Sequence, residues 1–222
     1  MDIIIAAAGS GSRYDKNSIP KQFLVFKNRE VLSLNIEKWI NLKKDISINN
    51  IYVVLPNSNF ENLSNKYQKK YPNLIIVEGG ITRGESILNA LKLSTEKNVM
   101  IHDGARPFFS KELVLRVYNK LKVSNAVIPI LPITDTLKIV KNDKVEKTLN
   151  RENYFTVQTP QAFNRETIKK TYLESGIFAF DDSELLEKQN IDIDTVVGEW
   201  NNIKITTKEQ NKLINFLIEQ ED

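Results

Sequence analysis

A glycine-rich loop near the start of the chain has the residue types and spacing to bind phosphate groups. Residues 2–5 are typical of a short buried strand, and a run of small residues leads from them to Arg13, with Lys21 shortly after. Small residues let backbone amides approach phosphate oxygens without a side-chain clash. The pattern predicts a nucleoside triphosphate site at the first strand. Its small residues are Ala7, Ala8, Gly9 and Gly11.

Two common nucleotide loops do not match this pattern. A P-loop requires Gly-Lys-Ser/Thr at the end of a longer loop, and a dinucleotide fingerprint requires a third small residue where Tyr14 stands. Because a single glycine pattern is a weak signal, an ordinary strand-to-helix turn is the alternative interpretation of the loop taken alone.

Charged residues follow a later predicted strand, residues 99–102. Mg²⁺ prefers a hard carboxylate together with phosphate oxygens, so Asp103 is a candidate ligand for Mg²⁺ on the triphosphate. Arg106 is a candidate contact for an anionic substrate. The alternative is a structural ion pair between Asp103 and Arg106. We expect His102, the only histidine, to pack and form hydrogen bonds rather than to act in catalysis.

Further hydrogen-bond donors in the second half of the chain suit a phosphate monoester. They are Thr136, Arg151, Thr159 and Lys204. The alternative for Arg151 and Lys204 is a solvated surface position.

Two shorter motifs have competing interpretations. Gly80 and Ser86 bracket a turn and a helix start, and they are either part of a base pocket or a tight turn with its cap. Asp181 and Asp182 are either a second acidic site or, as we favour, the opening of a helix from Ser183.

Composition excludes several classes of protein. The 222 residues are 41% hydrophobic, which allows one large α/β domain or one domain with a small appendage. The absence of cysteine and the single histidine exclude disulfides, thiolate metal sites and multi-histidine metal sites. A net charge of +3 without a basic stripe gives no argument for nucleic acid. No apolar run is long enough for a membrane span or signal peptide, so we expect a soluble cytoplasmic protein.

Strand-like and helix-like segments alternate along the chain, which predicts a doubly wound, mostly parallel α/β sheet covered on both faces. Candidate helix N-caps are Thr82, Ser110 and either Asn57 or Ser58, and Thr206 with Glu209 fits a capping box for the last helix. The predicted strands are residues 3–7, 51–55, 74–77, 99–102 and 126–131.

One segment departs from this alternation. Residues 136–140 and 145–149 are strand-like and flank a polar turn, which predicts a hairpin arm over about residues 136–150, inserted within a single domain spanning 1–222. Because an isolated hairpin is marginally stable in water, we expect the arm to pack against a second subunit in a homodimer.

Taken together, these motifs resemble the 2-C-methyl-D-erythritol 4-phosphate cytidylyltransferases of the non-mevalonate isoprenoid pathway. The resemblance runs from Ala6 to about Leu217. It departs from the family at Gly104, where alanine is usual, and at Trp200, which is bulkier than expected. The matching blocks are residues 7–13, 20–22, 79–83 with Ser86, 102–107, 135–138, 158–163, 181–182 and 202–206.

The resemblance implies a nucleotidyltransferase fold, a dimer that exchanges the arm, and CTP, a polyol phosphate and Mg²⁺ as ligands. It assigns Ala7, Ala8, Gly9, Gly11, Arg13, Lys21, Gly80, Ser86 and Asp103 to CTP, with Asp103 linked to Mg²⁺. It assigns Asp103, Arg106, Thr136, Arg151, Thr159 and Lys204 to the sugar phosphate. Arg13, Lys21, Arg151 and Lys204 are the implied catalytic residues.

The implied reaction is in-line attack of an acceptor phosphate oxygen on the α-phosphorus of CTP, with release of pyrophosphate. The acceptor is already anionic, so no general base is required. Alternatives are a cytidylyltransferase for another polyol phosphate, such as ribitol 5-phosphate, or a non-catalytic nucleotide-binding module. A dinucleotide-dependent oxidoreductase is a more remote alternative.

Overall fold

The first strand is buried on both of its faces, as expected for the centre of a parallel sheet. The computed structural model describes residues 1–9, 19–175 and 181–220. Ile3 and Ile5 point into one hydrophobic core, whereas Ile4 points into a second core across the sheet. All residues of the neighbouring strand Ile51–Leu55 are buried and alternate in the same way.

The main sheet combines a parallel centre with antiparallel strands at one side. Its order is β10-β7-β11-β6-β1-β4-β5, and β12 also pairs with β7. The strands in chain order are β1 (Asp2–Ala6), β2 (Val25–Phe26), β3 (Arg29–Glu30), β4 (Ile51–Leu55), β5 (Ile75–Glu78), β6 (Asn98–Asp103), β7 (Ala126–Pro132), β8 (Lys138–Lys141), β9 (Lys144–Thr148), β10 (Phe155–Val157), β11 (Gln161–Asn164) and β12 (Asp194–Val197).

Strand β1 pairs in parallel with β4 on one side and with β6 on the other. Strand β11 lies between β6 and β7 and is antiparallel to both. The predicted mostly parallel sheet is therefore confirmed, and the antiparallel β11 is a feature that periodicity did not indicate.

Helices cover both faces of the sheet, which confirms the doubly wound architecture. Residues of α1, α2 and α4 pack in the core with Ile3, whereas residues of α3, α5 and α6 pack in the core with Ile4. Helix α7 packs on a third cluster with Val31 and Phe108. The helices are α1 (Val31–Leu42), α2 (Phe60–Lys70), α3 (Arg83–Leu93), α4 (Lys111–Leu121), α5 (Arg165–Ser175), α6 (Glu184–Glu187) and α7 (Asn211–Glu219).

This winding leaves a crevice at the carboxyl ends of β1 and β6. Helix α1 follows β1 on one face, and helix α3 leads into β6 on the other face. The crevice thus lies at the carboxyl ends of two parallel strands, where open α/β sheets bind their ligands.

The predicted helix starts are partly correct. Thr82 and Ser110 accept hydrogen bonds from the backbone amides of Glu85 and Leu113, which confirms both caps. The last capping box is formed by Thr207 with Gln210, one residue after the predicted pair. The predicted cap at Asn57 or Ser58 is also wrong, because those residues form a 3₁₀ turn before α2 begins at Phe60.

The hairpin of β8 and β9 confirms the predicted arm. Its two-residue turn, Asn142 and Asp143, has φ angles of 47° and 60°. These left-handed conformations are the ones that a type I′ turn requires, and asparagine and aspartate tolerate them. Every residue of both strands is exposed.

Candidate active site

A cleft of about 800 Å³ opens at the carboxyl ends of β1 and β6. Most of the residues predicted to bind nucleotide lie here, although they come from distant parts of the sequence. Those that line the cleft are Ala8, Gly9, Lys21, Gly80, Ser86 and Asp103. Lys204, which was predicted to bind the acceptor, lines the same cleft. Ala7 is buried directly behind them. Gly11 and Arg13 lie outside the described residues.

The chain that leaves β1 is held by Gln22, a residue whose role the sequence motifs did not predict. The Gln22 amide donates to the carbonyl oxygens of Ala7 at 2.7 Å and Gly9 at 2.8 Å. The neighbouring Lys21 is nearly buried and lines the cleft. Gln22 therefore ties the glycine-rich segment to the turn that carries Lys21.

On the opposite wall, Gly80 and Ser86 are in direct contact. The Gly80 amide donates to Ser86 Oγ at 3.0 Å, and Ser86 Oγ donates to the Thr82 carbonyl at 2.9 Å. A Cβ atom on Gly80 would lie 2.3 Å from the Cβ of Glu85, so this close turn requires glycine. The turn-and-cap interpretation is therefore confirmed, and this turn forms one wall of the cleft.

Three cations surround Asp103 at the end of β6. Lys204 Nζ lies 2.7 Å from Asp103 Oδ2, Arg106 Nε lies 3.3 Å from Oδ2, and Arg83 Nη2 lies 3.7 Å from Oδ1. Burial alone would raise the pKa of the Asp103 carboxyl, but Lys204, Arg83 and Arg106 together hold it well below its usual range. Asp103 is therefore a carboxylate, and it orders the cations of the cleft.

Thr159 and His102 form a hydrogen-bonded chain behind Asp103. The Asp103 amide donates to Thr159 Oγ1 at 3.0 Å, and Thr159 Oγ1 lies 3.0 Å from His102 Nδ1. His102 Nε2 lies 2.9 Å from the Arg106 carbonyl oxygen, so this network assigns the proton to Nε2. Burial lowers the pKa of His102 to about 4. As predicted, His102 is a buried hydrogen-bonding residue.

Two backbone contacts hold Arg106 and the Lys204 segment together. Arg106 Nη1 donates to the Asn202 carbonyl oxygen at 2.9 Å. The amide of Ile205 donates to the Ala105 carbonyl oxygen at 2.9 Å. Through these contacts the last part of the chain returns to the end of β6 and places Lys204 in the cleft.

The other predicted acceptor residues lie away from the cleft of this chain. Thr136 and Arg151 are exposed at the base of the arm, where the Arg151 guanidinium donates to the Thr134 carbonyl oxygen. Trp200 is also exposed, at 62%, and does not line the cleft. A single copy of the chain thus brings together Asp103, Arg106, Thr159 and Lys204 but not Thr136 and Arg151.

The acidic pair at 181–182 divides into two roles. Asp181 Oδ1 accepts from the Glu184 amide at 2.9 Å, which confirms that it opens α6. Asp182 is fully buried and forms a two-pronged ion pair with Arg83, with both distances at 2.6 Å. The sequence does not reveal this pair, because the two residues are 99 positions apart and neither motif points to the other.

The side chains around Asp103 suit a metal ion that takes most of its ligands from outside the protein. Within residues 1–9, 19–175 and 181–220, no cluster of three Asp, Glu, His or Cys side chains is present that would hold a metal by itself. A single hard carboxylate fits Mg²⁺ when phosphate oxygens and water supply most of its ligands. The described part of the chain also has no helix that is long and apolar enough to span a membrane.

The fold and the site together define a nucleotidyltransferase. A sequence model of the family IspD, 2-C-methyl-D-erythritol 4-phosphate cytidylyltransferase, matches residues 1–220. The chain belongs to this family. Its reaction is the CTP-dependent cytidylylation of 2-C-methyl-D-erythritol 4-phosphate in the non-mevalonate pathway, as the sequence resemblance implied.

Individual relatives agree with this assignment. The 2-C-methyl-D-erythritol 4-phosphate cytidylyltransferase of Thermosipho melanesiensis is 36% identical over 220 residues, covering 95% of this chain and 94% of the relative. The crystal structure of the enzyme with that name from Thermus thermophilus has a TM-score of 0.80 at 28% identity and covers 99% and 98% of the two chains. The 4-diphosphocytidyl-2C-methyl-D-erythritol synthase structure from Anaerococcus prevotii also has a TM-score of 0.80, with 34% identity and coverage of 98% and 97%.

Proposed function

We propose that the cleft binds the two substrates of cytidylyl transfer on opposite sides of Asp103. The observation that carries this proposal is the buried Asp103 carboxylate, which pairs with Lys204 and Arg106 in the same cleft that the nucleotide-loop residues line. CTP binds along Gly9, Lys21, Gly80 and Ser86, together with Ala7, Ala8, Gly11 and Arg13.

The acceptor phosphate binds to Lys204 and Arg106, which Asp103 holds before the substrate arrives. The phosphate then competes with the carboxylate for these cations. Thr159 fixes the backbone at Asp103 through the hydrogen bond from the Asp103 amide. Because both substrates are polyanions, the main task of these residues is to hold the two anions together in line.

Lys21 and Arg13 stabilise the negative charge that develops on the transferring phosphoryl group. Asp103 and the CTP phosphates would hold Mg²⁺, which supplies further charge neutralisation when bound. No side chain is required to remove a proton, and His102, whose pKa is about 4, is neutral at physiological pH.

We further propose that the chain acts as a homodimer of single-domain subunits in the cytoplasm, with the arm as an insertion. The chain returns after the arm to the same sheet, since β12 pairs with β7. The exposed arm and the exposed positions of Thr136 and Arg151 support a site completed by the arm of a second copy.

The experiment that tests these roles is pyrophosphate release from CTP and Mg²⁺ with two acceptors at equal concentration. We expect release with 2-C-methyl-D-erythritol 4-phosphate and not with ribitol 5-phosphate. The variant Lys204→Ala should raise KM for the acceptor and leave CTP binding close to wild type. A defect confined to CTP binding would contradict the acceptor role of Lys204.

A further inference from the structure

Arg83 is a cation of the cleft to which the roles proposed above give no function. It is the first residue of α3 and lines the cleft, with its Nη2 atom 3.7 Å from Asp103 Oδ1. Lys204 and Arg106 contact the other carboxylate oxygen, Oδ2. The two oxygens of Asp103 therefore face different cations, and Arg83 alone among the three faces Oδ1.

Asp182 holds Arg83 in place from behind. The two guanidinium nitrogens donate to the two carboxylate oxygens at 2.6 Å each, and the Tyr172 hydroxyl donates to Asp182 Oδ1. Asp182 is fully buried, whereas a third of the Arg83 side chain is exposed to the cleft. Two parallel hydrogen bonds fix the plane of a guanidinium as well as its position, which a single point contact cannot do.

The pair also joins the two walls of the cleft. Arg83 lies within the capping box formed by Thr82 and Glu85, and the same helix start places Ser86 against the Gly80 amide. On the other side, Gln161 Nε2 donates to Asp181 Oδ2 at 3.2 Å, which links the segment of Asp182 to β11 beside β6. The ion pair of Arg83 and Asp182 therefore connects the turn of Gly80 and Ser86 to the strand that carries Asp103.

We propose that Arg83, held by Asp182, is a positioning residue for cytidylyl transfer. It sets the orientation of the Asp103 carboxylate relative to the start of α3, so that the acceptor oxygen and the α-phosphorus of CTP meet in line. The proposal rests on the proposed role of Asp103. Small misplacements of reacting groups lower the rate of reaction rather than the affinity for substrate. Loss of the Arg83 contact should therefore lower kcat.

The test compares Asp182→Asn with the double variant Arg83→Gln/Asp182→Asn. We expect Asp182→Asn to lower kcat about ten-fold at saturating substrates and to change each KM less than about three-fold. Its melting temperature should also fall, because the Arg83 charge loses its buried partner. In the double variant no charge is left uncompensated, so the melting temperature should recover while kcat stays low.

A kcat that recovers together with the melting temperature would assign the pair a structural role only and overturn the proposal. A wild-type kcat in Asp182→Asn would also overturn it. Where these variants do not fold, Arg83→Lys provides the same test, because it keeps the charge and loses the two-pronged contact. We expect lowered kcat with little change in KM, and a wild-type kcat would again contradict the proposal.

Two control variants distinguish the proposed role of Arg83 from a general loss of stability and from the proposed role of Asp103. Arg165→Gln removes another partly buried arginine that joins two elements, through Nε to the Glu96 carbonyl oxygen at 2.8 Å, and should lower stability without lowering kcat. Asp103→Asn tests the site itself. A wild-type kcat in Asp103→Asn would contradict the proposed role of Asp103. If Asp103→Asn lowered kcat but Asp182→Asn did not, only the proposed role of Arg83 would be contradicted.

Discussion

Lys21 is the described residue whose loss should most affect the chemical step. It is nearly buried in the wall of the cleft, next to Gln22, which fixes the glycine-rich segment. We expect Lys21→Ala to lower kcat about 100-fold, the scale of losing one donor that stabilises transition-state charge. Single-turnover measurements of pyrophosphate release test this, with the exposed Lys122→Ala as the control. An unchanged kcat would remove Lys21 from the mechanism.

His102 gives the protein a defined dependence of stability on pH. Its pKa is about 4 in the folded protein against an ordinary value of 6.5, so the unfolded chain binds a proton more readily. Stability should therefore fall as pH decreases from about 6.5 towards 4, by a total of about 3 kcal/mol. The depressed pKa of Asp103 removes further stability only at lower pH, below the ordinary value of 3.8.

Urea unfolding at pH 5 to 7 in the presence of a chelator measures this dependence. His102 is the only histidine, so the variant His102→Gln should be less stable at neutral pH but show a flatter dependence of unfolding free energy on pH. If the variant retained the wild-type slope, another group would be responsible.

At the scale of residues, the sequence predicted which side chains lie together in the cleft. It did not predict the long-range contacts that position them. Asp103, Arg106 and Lys204 carry recognisable chemistry in recognisable motifs, and the structure places them together. Arg83 and Asp182 each lie in a predicted motif, but only the folded chain shows that they are partners. Long-range pairing of this kind depends on packing, for which a single sequence has no periodic signal.

At the scale of elements, the start of α3 carries both a helix cap and one wall of the cleft. Thr82 Oγ1 accepts from the Glu85 amide at 3.1 Å, and Glu85 Oε2 accepts from the Thr82 amide at 3.3 Å. We expect Thr82→Ala to cost about 1 kcal/mol of stability. Because the same turn positions Gly80 against Ser86, it should also raise KM for CTP several-fold.

The matched control is Ser110→Ala, which removes the side-chain cap of α4. Ser110 Oγ accepts from the Leu113 amide at 3.0 Å, and the residue does not line the cleft. Its loss should lower stability without raising KM for CTP. Equal KM values for CTP in the two variants would show that the capping box does not influence CTP binding at the turn of Gly80 and Ser86.

The sequence predicted elements that have a clear local pattern of residues better than elements that have none. The arm turn was predicted from a short polar segment between two strand-like runs, and its left-handed Asn142 and Asp143 suit that signal. The strand β11 was not predicted, because its four residues are too short to carry a pattern and its antiparallel pairing is set by the neighbouring strands. The misplaced capping box shows that adjacent threonines cannot be distinguished by residue type alone.

At the scale of the whole molecule, the arm exposes an apolar surface that water does not favour. Ile139, Val140 and Val145 are 41%, 57% and 62% exposed, and Phe155 on β10 is 46% exposed. Replacing Val145 by aspartate should weaken dimerisation, because it places a charge in the surface that a second copy would cover. Sedimentation velocity over a concentration series measures this, and an unchanged association constant would place the interface elsewhere.

The strongest test of a shared site is complementation between two variants, assayed at an acceptor concentration so low that neither variant alone shows activity. Lys204→Ala damages the cleft but leaves the arm intact, whereas Arg151→Ala damages the arm but leaves the cleft intact. If the arm of one subunit completes the cleft of its partner, each mixed dimer contains one undamaged site and one that carries both substitutions. Half of the dimers in an equal, re-equilibrated mixture are mixed, so activity should rise to roughly a quarter of the wild-type rate. If Arg151 instead served the cleft of its own chain, every site would lack one residue and mixing would restore nothing.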